Sequence, residues 1–154
     1  MKYIVVDIDG TIAQIHPERL KLIQGKNKDW DAFYKACHMD TPIQNVIDMI
    51  EIMICDSYCE WVFVTGRSEI CRQETFDWLN KHMAYYASDS DICMRKEGDF
   101  RPDTEVKPEL LNKYMEDFGL DKEDILVIFE DRDSVVEKWR ELGYTVAQVA
   151  KGDF

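Results

Sequence analysis

The chain has 154 residues, 45% of them hydrophobic and 32% charged, with a formal net charge of -12. That length is predicted to fold as one domain, residues 1–154, whose core needs no disulfide or metal staple, and the acidic balance excludes a basic footprint for long duplex nucleic acid. No apolar stretch approaches the length of a transmembrane helix and the start of the chain lacks the marks of a signal peptide, so a cytoplasmic protein with no membrane role is expected.

The first predicted strand, Tyr3 to Val6, is a short run rich in β-branched residues, as suits a strand buried on both faces of a parallel sheet. It leads into Asp7-Ile8-Asp9-Gly10-Thr11. Ligands of open α/β sheets gather at the carboxyl ends of strands, so Asp7 and Asp9 are expected at the edge of a crevice, with Gly10 breaking the strand into a turn. Asp-Gly alone marks only a turn; two acids ending a buried strand, followed by Gly-Thr, point to chemistry. Residues 12–28, with His16-Pro17 and Gly25-Lys26-Asn27, read as a loop and a candidate flap over the crevice. Arg19 is the residue in it suited to an anionic ligand, although an arginine in a loop more often only solvates the surface. Asp29 is predicted to cap a short helix through Trp30, Phe33 and Tyr34. Thr41-Pro42 reads as a helix start, with Ile43, Val46, Ile47, Ile50 and Ile54 on the core face.

A second strand, Trp61 to Val64, runs into Thr65-Gly66-Arg67-Ser68, again delivering a hydroxyl and a glycine turn. The helix expected over Glu69 to His82 puts Cys71, Thr75, Trp78 and Leu79 on one side. Ile92-Cys93-Met94 is a third strand, followed by Arg95 and a polar loop through Asp103. Lys107-Pro108 is expected to open a helix that Gly119 stops. The fourth strand, Ile125 to Phe129, ends in Glu130-Asp131-Arg132-Asp133; a helix with Val135, Val136, Trp139 and Leu142 follows, then a last strand from Tyr144 to Val149. This alternation predicts an α/β domain with a mainly parallel central sheet and helices on both faces. The five cysteines form no paired motif and are expected as reduced thiols, Cys55 and Cys59 bracketing a helix-to-strand turn.

Four strand or loop ends converge as candidates: Asp7 and Asp9, Thr65, Lys107, and Glu130 with Asp131. Asp7 and one acid of the later pair suit Mg²⁺, which takes a few carboxylates together with water and substrate phosphate. Thr65 suits a hydrogen bond to a phosphoryl oxygen and Lys107 a point charge against transition-state charge, leaving Asp9 free for proton transfer. An acidic exterior is compatible with gripping one terminal phosphate when a divalent cation carries part of the charge.

The ordered set Asp7-Ile8-Asp9-Gly10-Thr11, Thr65-Gly66-Arg67, Lys107 and Glu130-Asp131 resembles the signatures of the haloacid dehalogenase (HAD) superfamily of phosphotransferases. The resemblance implies a Rossmann-like HAD fold with a small cap or none. The segments Gly98 to Lys107, Glu130 to Arg140 and Gln148 to Phe154 are similar to the 3′-phosphatase domain of phage polynucleotide kinase, whereas Ile12 to Asp40 matches poorly. No GxxxxGK[ST] phosphate loop occurs in this sequence. The resemblance thus implies a Mg²⁺-dependent polynucleotide 3′-phosphatase without its kinase, in the host cytoplasm if phage-encoded, with a separate kinase or ligase as partner. It assigns Asp7 as nucleophile, Asp9 as acid and base, and Thr65 and Lys107 as the phosphoryl cradle. Mg²⁺ would sit between Asp7, the main-chain carbonyl of Asp9, and Asp131. Glu130 stands where the relative carries the first of two aspartates. Arg67, Arg95, Asp103 and Arg19 match charged positions expected to shape the substrate site.

Two other readings compete. One is a small-molecule phosphatase for nucleotides or sugar phosphates. The other is a receiver-like switch that holds a phosphoryl group without turnover; the order of motifs speaks against it, because receivers place the acidic pair early and the acceptor on a middle strand.

Overall fold

The computed structural model describes residues 1–55 and 58–154. Strand β1 (Lys2–Val6) is followed by a short strand β2 (Ala13–Gln14), helices α1 (Pro17–Lys21) and α2 (Trp30–Lys35), and a short strand β3 (Thr41–Pro42). Then come α3 (Gln44–Ile54), β4 (Cys59–Ser68), α4 (Arg72–His82), β5 (Ile92–Arg95), α5 (Asp103–Phe118), β6 (Ile125–Glu130), α6 (Asp133–Glu141) and β7 (Val146–Gln148). Among the described residues, five strands form a parallel sheet in the order β5-β4-β1-β6-β7, and β2 pairs antiparallel with β3 as a separate ribbon.

The apolar character of β1 on both faces explains its central place. Side chains alternate along a strand. Ile4 and Val6 therefore join Ile47 and Ile50 of α3 and Trp78 and Leu79 of α4, while Val5 joins Leu111 of α5 and Val135 and Trp139 of α6 on the opposite face. The chain steps outward from β1 to β4 and β5, then returns to the other side of β1 as β6 and β7. β1 thus lies where the winding reverses, and the crevice at its carboxyl end is the natural ligand position of such a sheet.

Three predicted boundaries differ from the structure. Thr41 and Pro42 do not start a helix: they pair with Gln14 and Ala13, the Ile43 N–H donates to the Ile12 carbonyl at 2.7 Å, and α3 begins at Gln44. Tertiary pairing outweighs the Thr-Pro helix signal, and a two-stranded ribbon leaves edges where proline is tolerated. Residues 12–28 are not loop throughout. Pro17 opens α1, with His16 as N-cap accepting from the Glu18 N–H at 3.2 Å. Helix α5 starts at Asp103, a turn ahead of Lys107-Pro108, so Pro108 is inside it and costs one helical hydrogen bond, to the Thr104 carbonyl. The early start puts Asp103 and Lys107 four residues apart on one helix face.

Strand β4 extends through Thr65-Gly66-Arg67 to Ser68, with its pairing to β5 shifting between Thr65 and Ser68. The turn expected between Cys55 and Cys59 includes residues 56 and 57 and lies outside the described residues. All five cysteines are free thiols. No helix among the described residues is long and apolar enough to cross a membrane.

Candidate active site

The carboxyl ends of β1 and β6 and the first turns of α5 bring Asp7, Glu130, Asp131 and Lys107 together, all of them buried. The Lys107 ammonium donates to Asp7 Oδ1 at 2.8 Å and to Glu130 Oε2 at 2.7 Å. The Thr11 hydroxyl donates to Asp7 Oδ2 at 2.9 Å and lies 3.4 Å from Asp131 Oδ1. Burial works against the Lys107 charge, but Asp7 and Glu130 outweigh it and hold its pKa above the ordinary value. Burial pushes Asp7 up to about 7, reinforced by Glu130 and opposed by Lys107. Asp131 is pushed up to about 6 by burial and by the charge on Asp7.

Asp7, Glu130 and Asp131 each offer a carboxylate oxygen within 4.8 Å of the others, with Lys107 as the ammonium between two of them. This cluster is short of positive charge, and its oxygen donors are of the kind hard divalent cations take. The two acids of β6 and its end differ. Glu130 Oε1 accepts from the Asp131 and Arg132 N–H groups at 3.1 and 3.2 Å while Oε2 accepts from Lys107. The Asp131 carboxylate has only the long Thr11 contact among the described residues. Gly10 allows its approach: the residue has φ of 86°, and a Cβ there would lie 2.1 Å from Asp131 Oδ2.

Asp9 belongs to a second cluster. Arg67 grips it with two bonds, Nε to Oδ2 at 3.0 Å and Nη2 to Oδ1 at 2.7 Å, and Arg19 Nη1 adds a third at 3.0 Å. Asp40 Oδ2 accepts from the same two arginines, at 2.5 Å from Arg19 and 3.1 Å from Arg67. Asp9 is therefore not free, as the sequence led one to expect. Burial alone would raise its pKa, yet Arg67 and Arg19 together hold the carboxyl well below the usual range. Arg19, expected as a loop residue on the surface, is fully buried, with Nε donating to the Phe33 carbonyl at 2.7 Å and its guanidinium 4.1 Å from the centre of the Phe33 ring. Its Nη2 has no partner among the described residues.

Arg95 braces the loop of residues 96–102. Its Nε donates to the Gly66 carbonyl at 2.9 Å, Nη1 to the Asp99 and Arg101 carbonyls at 3.0 and 2.6 Å, and Nη2 to Asp103 Oδ1. Gly66 is required by this packing, since a Cβ would come within 2.5 Å of Asp103 Oδ1. Thr65 is buried, its hydroxyl accepting from the Arg67 N–H at 3.2 Å. Asp7, Asp9, Thr65, Arg67, Lys107 and Asp131 line one cavity of about 400 Å³, which Arg95, Asp103 and Glu130 also border, together with apolar residues of the segment between β1 and α3. A second cavity of similar volume, beside Glu109 and Lys138, contains none of these groups.

Several residues of the site carried no readable local signal. Asp40 stands among unremarkable neighbours and joins the ion network only because the main chain after α2 turns it inward, where Trp78 Nε1 also donates to its carbonyl at 2.8 Å. Thr75 was readable only as a core position, yet its hydroxyl accepts from Arg67 Nη1 at 3.2 Å. Arg132, between β6 and α6, reaches Asp103 at 3.3 Å.

A parallel α/β sheet with an aspartate at the end of its central strand, a lysine from a later helix and an acidic pair after a later strand defines a HAD-type hydrolase, a phosphomonoesterase. The family model for the polynucleotide kinase PNKP phosphatase domain matches residues 1–154, and the chain belongs to that family. Among curated proteins it is 27% identical over 139 residues to a protein of Autographa californica nuclear polyhedrosis virus assigned as a bifunctional polynucleotide kinase/RNA ligase; the match covers 90% of this chain and 18% of that protein. Among solved structures, a chain of the Pnkp1/Rnl/Hen1 RNA repair complex superposes with a TM-score of 0.76 at 25% identity, over 99% of this chain and 43% of the other. A haloacid dehalogenase-like hydrolase from Streptococcus pneumoniae shares the fold, with a TM-score of 0.61 at 13% identity over 96% of this chain and 84% of that one. The chain thus spans less than half the length of the viral and repair-complex relatives.

Proposed function

We propose that residues 1–154 act as one phosphatase domain that removes 3′-phosphate from polynucleotide ends, with Mg²⁺ as cofactor. The observation that carries this reading is the buried Asp7 carboxylate, held between the Lys107 ammonium and the Thr11 hydroxyl on the wall of the cavity. Asp7 attacks phosphorus to form an aspartyl-phosphate as the bond to the sugar oxygen breaks; water then attacks the same phosphorus, releasing inorganic phosphate and restoring Asp7. Thr65 and Lys107 hold the phosphoryl oxygens as charge builds on them. Asp9, held ionised by Arg67 and Arg19, is in the form that takes the proton of the attacking water. To protonate the departing sugar oxygen it must first gain a proton, which requires the grip of Arg67, the one of the two arginines that lines the cavity, to loosen as an anionic substrate competes for its guanidinium group. Arg19 and Arg67 act by orienting Asp9, Arg95 and Asp103 by fixing the loop beside the phosphate.

Asp7, Asp131 and the main-chain carbonyl of Asp9 would hold Mg²⁺, with Glu130 occupied by Lys107 and main-chain N–H groups. The ion supplies charge that offsets repulsion between a carboxylate nucleophile and an anionic phosphate.

The preference for polynucleotide ends rests on family membership and on relatives whose names join kinase, RNA ligase and RNA repair. These names also support a role beside separate kinase or ligase partners. The unmodified protein with Mg²⁺ is expected to release inorganic phosphate from a 3′-phosphorylated oligonucleotide, and Asp7→Asn to lower that rate by about 10⁴-fold or more. An untouched oligonucleotide beside brisk hydrolysis of sugar phosphates would replace this reading with that of a small-molecule phosphatase, with which the net charge of -12 is also compatible.

A further inference from the structure

We infer that the cavity recognises the terminal nucleobase of its substrate by stacking on an aromatic wall made by Trp30, Phe100 and Phe154, and that it reads little of the polymer beyond that base. This rests on the phosphatase reading and gives that site its substrate class: a 3′-phosphorylated nucleotide whose base is unpaired. The three rings line the same cavity as Asp7 and Thr65. They are also unusually wet for aromatic side chains, with Phe100 82%, Phe154 68% and Trp30 38% exposed. Exposed apolar surface that adjoins a catalytic crevice marks a binding face.

Two of the rings rest on other side chains, and the third is carried by a braced stretch of main chain. Trp30 rests edge-on against buried Phe33, with ring centres 5.7 Å apart. Phe154 lies against the Arg132 guanidinium at 4.8 Å. Phe100 sits between Asp99 and Arg101, whose carbonyls both accept from Arg95 Nη1. A flat partner would meet the Trp30 and Phe154 surfaces already in place, which lowers the ordering cost of binding. A nucleobase has the π-face these rings require; a sugar phosphate has none and would leave them wet.

The charges around the mouth restrict the rest of the substrate. Arg101 is paired with Asp99 and Glu109, Arg95 with Asp103, and Arg132 also with Asp103. These pairs leave little positive charge to grip upstream phosphates, in a protein of net charge -12. A cavity of about 400 Å³ is at the small end of ligand sites and takes one nucleotide rather than a duplex end.

The test compares a 3′-phosphorylated oligonucleotide with its counterpart lacking the terminal base. The unmodified protein is expected to show a KM about 5- to 150-fold higher for the abasic substrate, the span of one base–aromatic stack, at similar kcat. Phe100→Ala and Trp30→Ala should raise KM for the intact substrate only, and Trp30→Phe should restore it. Equal KM values for the two substrates, or equal losses on both in the variants, overturn the inference. Calorimetric binding to Asp7→Asn protein separates this from the reaction itself. Nucleoside 3′-monophosphate that binds more tightly than deoxyribose 3-phosphate, with the difference lost on Phe100→Ala, supports stacking even where no 3′-phosphate is released. Equal binding of the two ligands overturns stacking and leaves the phosphatase reading intact.

Discussion

At the scale of single residues, two charged clusters meet at the end of β1 with opposite electrostatic character. Asp9 and Asp40 face Arg19 and Arg67, so that cluster is balanced, whereas Asp7, Glu130 and Asp131 have, among the described residues, Lys107 as their one ammonium partner. The balanced cluster fixes Asp9; the unbalanced one calls for a cation. Removing one partner of a buried ion pair strands the other. Asp40→Ala is therefore expected to destabilise the protein by about 3–5 kcal/mol, measured by denaturant unfolding. A change below about 1 kcal/mol, the scale of a surface pair, would contradict the role given to Asp40. Gly10→Ala would force a methyl group into the Asp131 carboxylate. The Mg²⁺ concentration for half-maximal activity is expected to rise about 10- to 100-fold, as for displaced supports of metal ligands, and an unchanged Mg²⁺ requirement would contradict the place assigned to Asp131.

At the scale of elements, β1 serves as the floor against which α3 and α4 pack on one side and α5 and α6 on the other. Ile47 of α3 is fully buried and does not line the cavity. Ile47→Ala should cost about 2–5 kcal/mol in unfolding free energy while leaving kcat of the folded protein unchanged; a matching loss of kcat would show that α3 shapes the site. The strands were legible because long apolar runs such as Ile125 to Phe129 state their own burial, and Asp7, Thr65 and Glu130 were legible because they end such runs. The segment between β1 and α3 was not. His16-Pro17 reads as a breaker and opens a helix, whereas Thr41-Pro42 reads as a helix start and pairs as a strand, because the register of β2 with β3 claims it. Asp40, and the pairing of Arg19 with Asp9 and Asp40, were obscure for a related reason: a buried ion network is made by residues far apart in sequence, and nothing beside either residue announces its partner.

At the scale of the whole molecule, protons and cations compete for the same acids. Asp7 and Asp131, raised to about 7 and about 6, keep protons in the folded chain that the unfolded chain releases near pH 4. Between about pH 4 and 7 folding takes up protons through these groups, and their contribution to stability falls as pH rises. Asp9 acts in the other direction: its contribution is present above about pH 4 and is lost as pH falls through its lowered value. Metal-free protein is therefore expected to lose Tm between about pH 5 and 7.5, and added Mg²⁺ to raise Tm more at the higher pH, because it binds the ionised acids. A larger Mg²⁺ effect at the lower pH would contradict the carboxylate site. The same acidity predicts a shallow salt dependence of KM for oligonucleotides, since few phosphates are neutralised by Lys or Arg. The central claim, that this active site works on 3′ ends, is tested most directly by kcat/KM measured side by side for 3′-phosphorylated, 5′-phosphorylated and sugar-phosphate substrates with Mg²⁺ present. The account predicts that the 3′-phosphorylated oligonucleotide is preferred over both others; a sugar phosphate or a 5′-phosphate turned over as well or better would contradict it.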